Sequence, residues 1–143
     1  MRCLWLTRID PSPEDTGELI YSAQLIRSLA DAGAAVTVLC LGQPDHAGPD
    51  RWQSGGAEWR ITPGATRAAW RSIPSRLPNL AYRCAVPGFR NALEQTLAWE
   101  CWDTIVIDSL ATGWALPAIR AAAVRSGARP PRIVYVSHNH EET

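Results

Sequence analysis

Residues 2–41 read RCLWLTRIDPSPEDTGELIYSAQLIRSLADAGAAVTVLCL. The runs at 2–7 and 35–41 are short and almost continuously apolar, as strands are when both faces of a parallel sheet are covered. The proline-containing stretch 8–17 predicts a loop, and the apolar spacing after it predicts a helix that ends at Gly33. The helical spacing is carried by Leu19, Ala23, Ile26 and Ala30.

The same alternation of strands and helices continues to the end of the sequence. Three further strands are predicted at 58–61, 104–108 and 133–137. Strands that alternate with helices predict right-handed βαβ units and a parallel sheet. We therefore expect an α/β fold, a single Rossmann-like doubly wound domain over 1–143 with about five strands in the order 3-2-1-4-5.

The connecting segments differ in how much structure they predict. Phe89, Leu93 and Leu97 stand at four-residue steps and predict a helix ending near Trp99. Another helix is expected at 115–126, closed by a glycine and two prolines. The prolines of 62–87 allow only short helical pieces, and the Gly/Pro/Asp-rich stretch 42–56 predicts a loop.

The composition excludes several classes of protein. The 143 residues are 46% hydrophobic and 20% charged, which is typical of one globular domain. No apolar run approaches the roughly 18 residues that cross a bilayer. The formal net charge is zero, so no global electrostatic attraction to nucleic acid is expected.

The cysteines suggest the compartment. They are widely spaced without a CxxC pair, and two fall in predicted buried strands, so we interpret them as small core residues in a reducing, cytoplasmic environment. They are Cys3, Cys40, Cys84 and Cys101.

The segment 59–93 is locally cationic, because it holds six of the arginines and no acidic residue. Interleaved tryptophans and aliphatic residues suggest peripheral contact with an anionic membrane or a lipid-phosphate acceptor. The alternative is a solvated basic crossover whose apolar residues lie in the core. The apolar residues concerned are Trp59, Trp70, Ile73, Leu77 and Leu80.

In a sheet of this order, ligands bind at the carboxyl ends where the winding reverses, next to strands 1 and 4. The loops after strands 1, 4 and 5 should therefore converge. The first contains Asp15-Thr16-Gly17-Glu18 before a helix start, which suits a phosphate or another anion; alternatively Thr16 caps the helix and Gly17 turns the chain. No GxGxxG motif is present, so no dinucleotide cofactor is expected.

The other two loops carry side chains suited to a sugar or a metal. Asp108 and Ser109 end the fourth strand, where they can hydrogen-bond a sugar or cap the next element. After the fifth strand, His138 and His140 form an HxH pair that would need Asp108 or Asp10 as a third metal ligand. His46 lies in an unrelated loop, so the metal alternative is the weaker one.

Three stretches together resemble the N-terminal domain of family 4 glycosyltransferases of the GT-B fold. They are MRCLWLTRIDPSPEDTGELIYSAQLIRSLADAGAAVTVLCLG, LPNLAYRCAVPGFRNALEQTLAWECWDTIVIDSL and YVSHNHEET, the last matching an HN-x-E segment. The resemblance implies that Thr16, Gly17 and Glu18 lie near the donor phosphates and the acceptor. Many members have a second glycine where this chain has Glu18. It also implies that His138 contacts the transferred sugar, beside Asn139 and Glu141.

The resemblance further implies a reaction. A hexose-type sugar would pass from a nucleotide-sugar donor to a glycan or lipid-linked acceptor with retention, in the cytoplasm or at the inner face of the cell membrane. The nucleotide-sugar-binding C-terminal domain is absent from these residues, so the isolated chain is predicted to be inactive. The alternative is a non-catalytic Rossmann-like module that binds a carbohydrate or a partner.

Overall fold

A computed structural model describes residues 1–8, 17–42, 51–127 and 129–138. The strands are β1 (Arg2–Thr7), β2 (Ala35–Leu41), β3 (Arg51–Ser54), β4 (Ala57–Thr62), β5 (Thr104–Asp108) and β6 (Arg132–Val136). The α-helices are α1 (Gly17–Asp31), α2 (Asn79–Cys84), α3 (Pro87–Trp99) and α4 (Leu116–Ser126). Two 3₁₀ helices cover Ala69–Ser72 and Leu110–Ala115. No helix in these ranges is long and apolar enough to span a membrane.

The described strands form one sheet in the order β3-β4-β2-β1-β5-β6. Strands β4, β2, β1, β5 and β6 are parallel to one another, and β3 is antiparallel to β4. The predicted α/β class is confirmed. The predicted count and order are wrong, because the sheet is mixed and carries the additional strand β3 at one edge.

Strand β3 falls inside the stretch 42–56, which the sequence predicted to be a loop. Its four residues, RWQS, are too short and too polar to show a strand pattern. Gly55 and Gly56 connect it to β4 with φ angles of 56° and 77°. Two consecutive glycines at positive φ are typical of a two-residue hairpin turn, which is the signal that predicts β3.

The core consists of two layers, one on each face of the sheet. Cys3 and Trp5 of β1 face α1, whereas Leu4 and Leu6 face α2, α3 and α4. This alternation is the period of two of a strand, and both sets are buried because helices cover both faces. Because helices cover both faces of this doubly wound sheet, a ligand can bind at the ends of the strands.

Three of the four cysteines are core residues, as expected. Cys3, Cys40 and Cys84 are buried and Cys101 is exposed, and no disulfide joins any two of them. Burial raises the pKa of the Cys3 thiol to about 11. It also raises the pKa of Cys84, against the opposing positive charges of Arg8 and Arg83. Both thiols are therefore protonated and unreactive near neutral pH.

Gly56→Ala tests the hairpin. A Cβ at Gly56 would lie 3.0 Å from the Ala30 Cβ of α1, at a φ that L-residues rarely adopt. We expect the free energy of unfolding to fall by roughly 1–3 kcal/mol. Gly113→Ala is the control, because a Cβ there meets nothing within 4 Å. Urea denaturation of both variants measures the difference, and equal stabilities would contradict the turn geometry.

Candidate functional site

The carboxyl edge of the sheet brings together two of the predicted site residues. The chain winds from β1 to β2 and β4 on one side and continues through β5 and β6 on the other, so the winding reverses between β1 and β5. Asp108 is the last residue of β5 and His138 lies just beyond β6. Their side chains meet through His138 Nε2 and Asp108 Oδ1.

The Asp108 carboxylate accepts hydrogen bonds from three separate elements. Trp5 Nε1 of β1 donates to Oδ2 at 2.9 Å, and Ser22 Oγ of α1 donates to the same oxygen at 2.8 Å. His138 Nε2 contacts Oδ1. The residue Asp108 is only 2% exposed, so these donors replace the water that the carboxylate would otherwise bind. A buried carboxylate with three donors is a stable arrangement.

The same hydrogen bonds determine which ring nitrogen of His138 carries a proton. The indole of Trp5 can only donate, and the hydroxyl of Ser22 gives its one hydrogen to Asp108. The Ser22 oxygen lies 3.4 Å from His138 Nε2, where it can only accept. Two acceptors thus face Nε2, which must be protonated, and in the neutral ring Nδ1 is then an acceptor.

The His138 ring is also held by packing. The Tyr21 ring of α1 meets it edge to face at a centroid distance of 5.6 Å. The side chain of His138 is 6% exposed, whereas Tyr21 is 49% exposed. Tyr21 therefore packs against a ring that Asp108 holds through Nε2.

Ser109, predicted to bind a sugar, acts as a cap. Its hydroxyl accepts a hydrogen bond from the Ala111 amide at 3.3 Å, the alternative foreseen from the sequence. Its backbone is unusual, with φ 68° and ψ 169°, a region that non-glycine residues occupy at a cost of order 1–3 kcal/mol. The Ser109 amide donates to the Val136 carbonyl at 2.9 Å and thereby connects the ends of β5 and β6.

The remaining predicted residues have different positions. Gly17 begins α1, is exposed, and has open space where a Cβ would stand. Glu18 is the next residue of the same helix, and its side chain is not described. Thr16, Asn139 and Glu141 lie outside the described residues.

The metal alternative has no support in the part of the chain that the structure describes. No group of three or more His, Cys, Asp or Glu side chains suited to a metal occurs within those ranges. His140 and Asp10, on which the alternative partly depended, lie outside them.

Sequence reasoning missed Trp5, Tyr21 and Ser22. For Ser22 a signal exists, because it is a polar residue between Leu19 and Ile26 on the buried stripe of α1. A buried polar side chain needs a partner, and that need identifies Ser22 as a site residue. Trp5 and Tyr21 carry no comparable signal, since aromatic residues are common in strands and on helices.

Known structures contain a similar fold. The structure of sucrose-phosphate synthase from Thermosynechococcus elongatus, a GT-B glycosyltransferase, matches with a TM-score of 0.66 and 19% sequence identity. This chain has the fold of a GT-B glycosyltransferase domain. The match covers 97% of this chain and 33% of that chain, so the chain spans about a third of its length. No family model matches the chain, and no curated protein matches it significantly.

Asp108→Asn tests the hydrogen bonding of His138. The amide oxygen must stay with Trp5 and Ser22, which only donate to it, so the amide NH₂ would face Nε2. We expect the neutral ring to change from the Nε2–H to the Nδ1–H tautomer, and the free energy of unfolding to fall by about 1–3 kcal/mol.

Long-range ¹⁵N–¹H NMR distinguishes the two tautomers, and His46→Ala and His140→Ala assign the His138 signals. Ser22→Ala is the control, because it removes a donor without reversing any hydrogen bond. If Asp108→Asn retained the Nε2–H tautomer, the proposed proton positions would be incorrect.

Proposed function

We propose that this chain is the acceptor-side domain of a glycosyltransferase. In the proposed reaction a hexose-type sugar moves from a nucleotide-sugar donor to a glycan or lipid-linked acceptor, with retention of configuration. The observation that carries the proposal is a fixed histidine at the winding reversal of a GT-B-type sheet. One fold hosts many functions, so the support for this function comes from the residues of this site.

His138 is the proposed catalytic residue. Glycosyl transfer needs the sugar and the acceptor hydroxyl held in one geometry with water kept out. A ring fixed through Nε2 offers Nδ1 as a defined acceptor for a sugar hydroxyl. We propose that Asp108 acts through His138 as a positioning residue, since its carboxylate already accepts from Trp5, Ser22 and His138.

Gly17 is the proposed point of close approach to the donor phosphates. The first amides of a helix have no intrahelical partner, and the helix dipole favours an anion there. Gly17 is not among the glycines at positive φ, and no atom of the described residues lies within 4 Å of its would-be Cβ. Its own conformation therefore does not demand glycine, and this agrees with the proposal that a ligand approaches here.

Other parts of the reaction are assigned to other residues. Thr16, Glu18 and Ser109 are proposed to line the substrate site with Asn139 and Glu141. A second domain, outside these residues, would bind the nucleotide and stabilise the leaving diphosphate, so the isolated chain would be inactive. We propose that the reaction takes place in the cytoplasm, because four cysteines without a disulfide suit a reducing compartment, and we propose no cofactor.

His138→Ala tests the catalytic proposal. The gene is read past the codon for Thr143, and the protein is expressed with whatever follows and assayed against a panel of nucleotide sugars by mass spectrometry. Loss of a preorganised polar contact should lower kcat/KM by roughly 10²–10³. Trp99→Ala is the control, because Trp99 is 82% exposed at the far end of α3.

Two results would count against this proposal in different ways. Unchanged turnover in His138→Ala would remove the assigned role of His138. Carbohydrate binding without consumption of any nucleotide sugar would favour the non-catalytic binding module instead.

Gly17→Ala separates the proposed ligand contact from stability. The added methyl group meets no atom of the described residues, and alanine is the better helix former, so stability should be unchanged or rise by up to about 1 kcal/mol. KM for the donor should rise, because the methyl group would occupy the space that the phosphate needs. Denaturation and kinetics of the same variant measure both effects, and an unchanged KM would argue against phosphate contact at Gly17.

A further inference from the structure

The cationic segment 59–93 divides into a buried part and an exposed part. Trp59 is buried in β4, and Leu77 and Leu80 pack against the core, so these three are not available to a membrane. Trp70 and Ile73 are 68% and 84% exposed. Two large apolar side chains in water, on one short turn, are unusual enough to need an explanation.

The arginines divide in the same way. Arg60 is paired with Glu58 and Glu100, and the Arg90 guanidinium donates to the Ala85 carbonyl and lies over Trp114. Arg83 donates to the Arg67 carbonyl. These three have structural partners.

Arg67, Arg71 and Arg76 form no ion pair with a carboxylate in the ranges that the structure describes. Arg71 lies 5.1 Å from the centroid of the Trp70 ring, and Arg67 lies 5.0 Å from that of Tyr82. Arg71 thus lies against the exposed Trp70 ring, and Arg67 and Arg76 stand on either side of Trp70 and Ile73 in the sequence. We call Arg67, Trp70, Arg71, Ile73 and Arg76 the basic-aromatic patch.

The backbone below the patch is fixed. The 3₁₀ helix Ala69–Ser72 has three residues per turn, so Trp70 and Ile73 project from one side of it. Asn79 Nδ2 of α2 donates to Ser72 Oγ at 3.0 Å and to the Ala69 carbonyl at 3.4 Å. The patch is therefore presented by an ordered turn.

We propose that the basic-aromatic patch docks the protein on an anionic lipid surface. The chain has no net charge, so the attraction is local to a stretch without a single acidic residue. Tryptophan and isoleucine enter the headgroup region while the arginines meet lipid phosphates. This contact does not depend on sugar transfer, and it would bring a lipid-linked acceptor to the carboxyl edge only if the proposed function holds.

The test uses the whole 143-residue chain and vesicle co-sedimentation. One set of vesicles is phosphatidylcholine, and the other contains one quarter phosphatidylglycerol. We expect binding only to the anionic set. Arg71→Gln and Arg76→Gln should each lower the partition coefficient about fivefold, and Trp70→Ala about tenfold or more.

Each type of substitution in the patch has a control substitution of the same type outside it. Trp99→Ala removes a tryptophan that is 82% exposed but lies at the end of α3. Arg120→Gln with Arg125→Gln removes two exposed arginines of α4. Both should bind as the unchanged chain does, and circular dichroism confirms that every variant is folded.

The proposal is overturned by absent binding, by equal binding to both vesicle types, or by equal losses in the patch and control variants. Displacement by millimolar inorganic phosphate would also overturn it, since a free anion would then suffice. Sedimentation equilibrium tests whether the patch instead binds a second copy of the chain. If the chain were a dimer and Trp70→Ala made it a monomer, the patch would be a dimer interface and the proposal would be overturned.

Discussion

The carboxylate of Asp108 is buried at the end of β5, and a buried charge is tolerated only when its hydrogen bonds are satisfied. The three donors come from β1, α1 and the residue that follows β6 by two positions. Each of these elements must therefore be in place before the charge is stabilised. This requirement makes the site and one half of the sheet interdependent, so loss of the Trp5 or Ser22 donor should lower the stability of both.

The strained backbone of Ser109 follows from the same requirement. Asp108 must point toward α1, and the chain must then turn at once into the 3₁₀ helix Leu110–Ala115 on the other face. The change in direction takes place at Ser109, which adopts the unfavourable positive φ. Its hydrogen bonds with Val136 and Ala111 stabilise this backbone conformation. Thr112 adds a hydrogen bond from its hydroxyl to the Asp108 carbonyl at 3.1 Å.

Local pattern was sufficient for much of the fold. The apolar runs of β1, β2 and β5 and the four-residue spacing of α3 are local properties, and their bounds agree with the structure. Strand β3 could not be found by apolar alternation, because RWQS has none; only its glycine turn marks it. The meeting of Asp108 and His138 followed from topology. Their partners Trp5 and Ser22 depend on side-chain directions at strand and helix positions far apart in sequence, which no local pattern contains.

The two proposed surfaces are related through the edge of the sheet. Leu77 and Leu80, which follow the patch in the sequence, pack on the layer of α2, α3 and α4, whereas Asp108 and His138 lie on the α1 side. Both regions follow strand ends at the carboxyl edge, since the patch segment leaves β4 there and α2 packs against the 3₁₀ helix after β5. A lipid-linked acceptor held at the patch would therefore have to cross this edge, from one face of the sheet to the other, to reach His138.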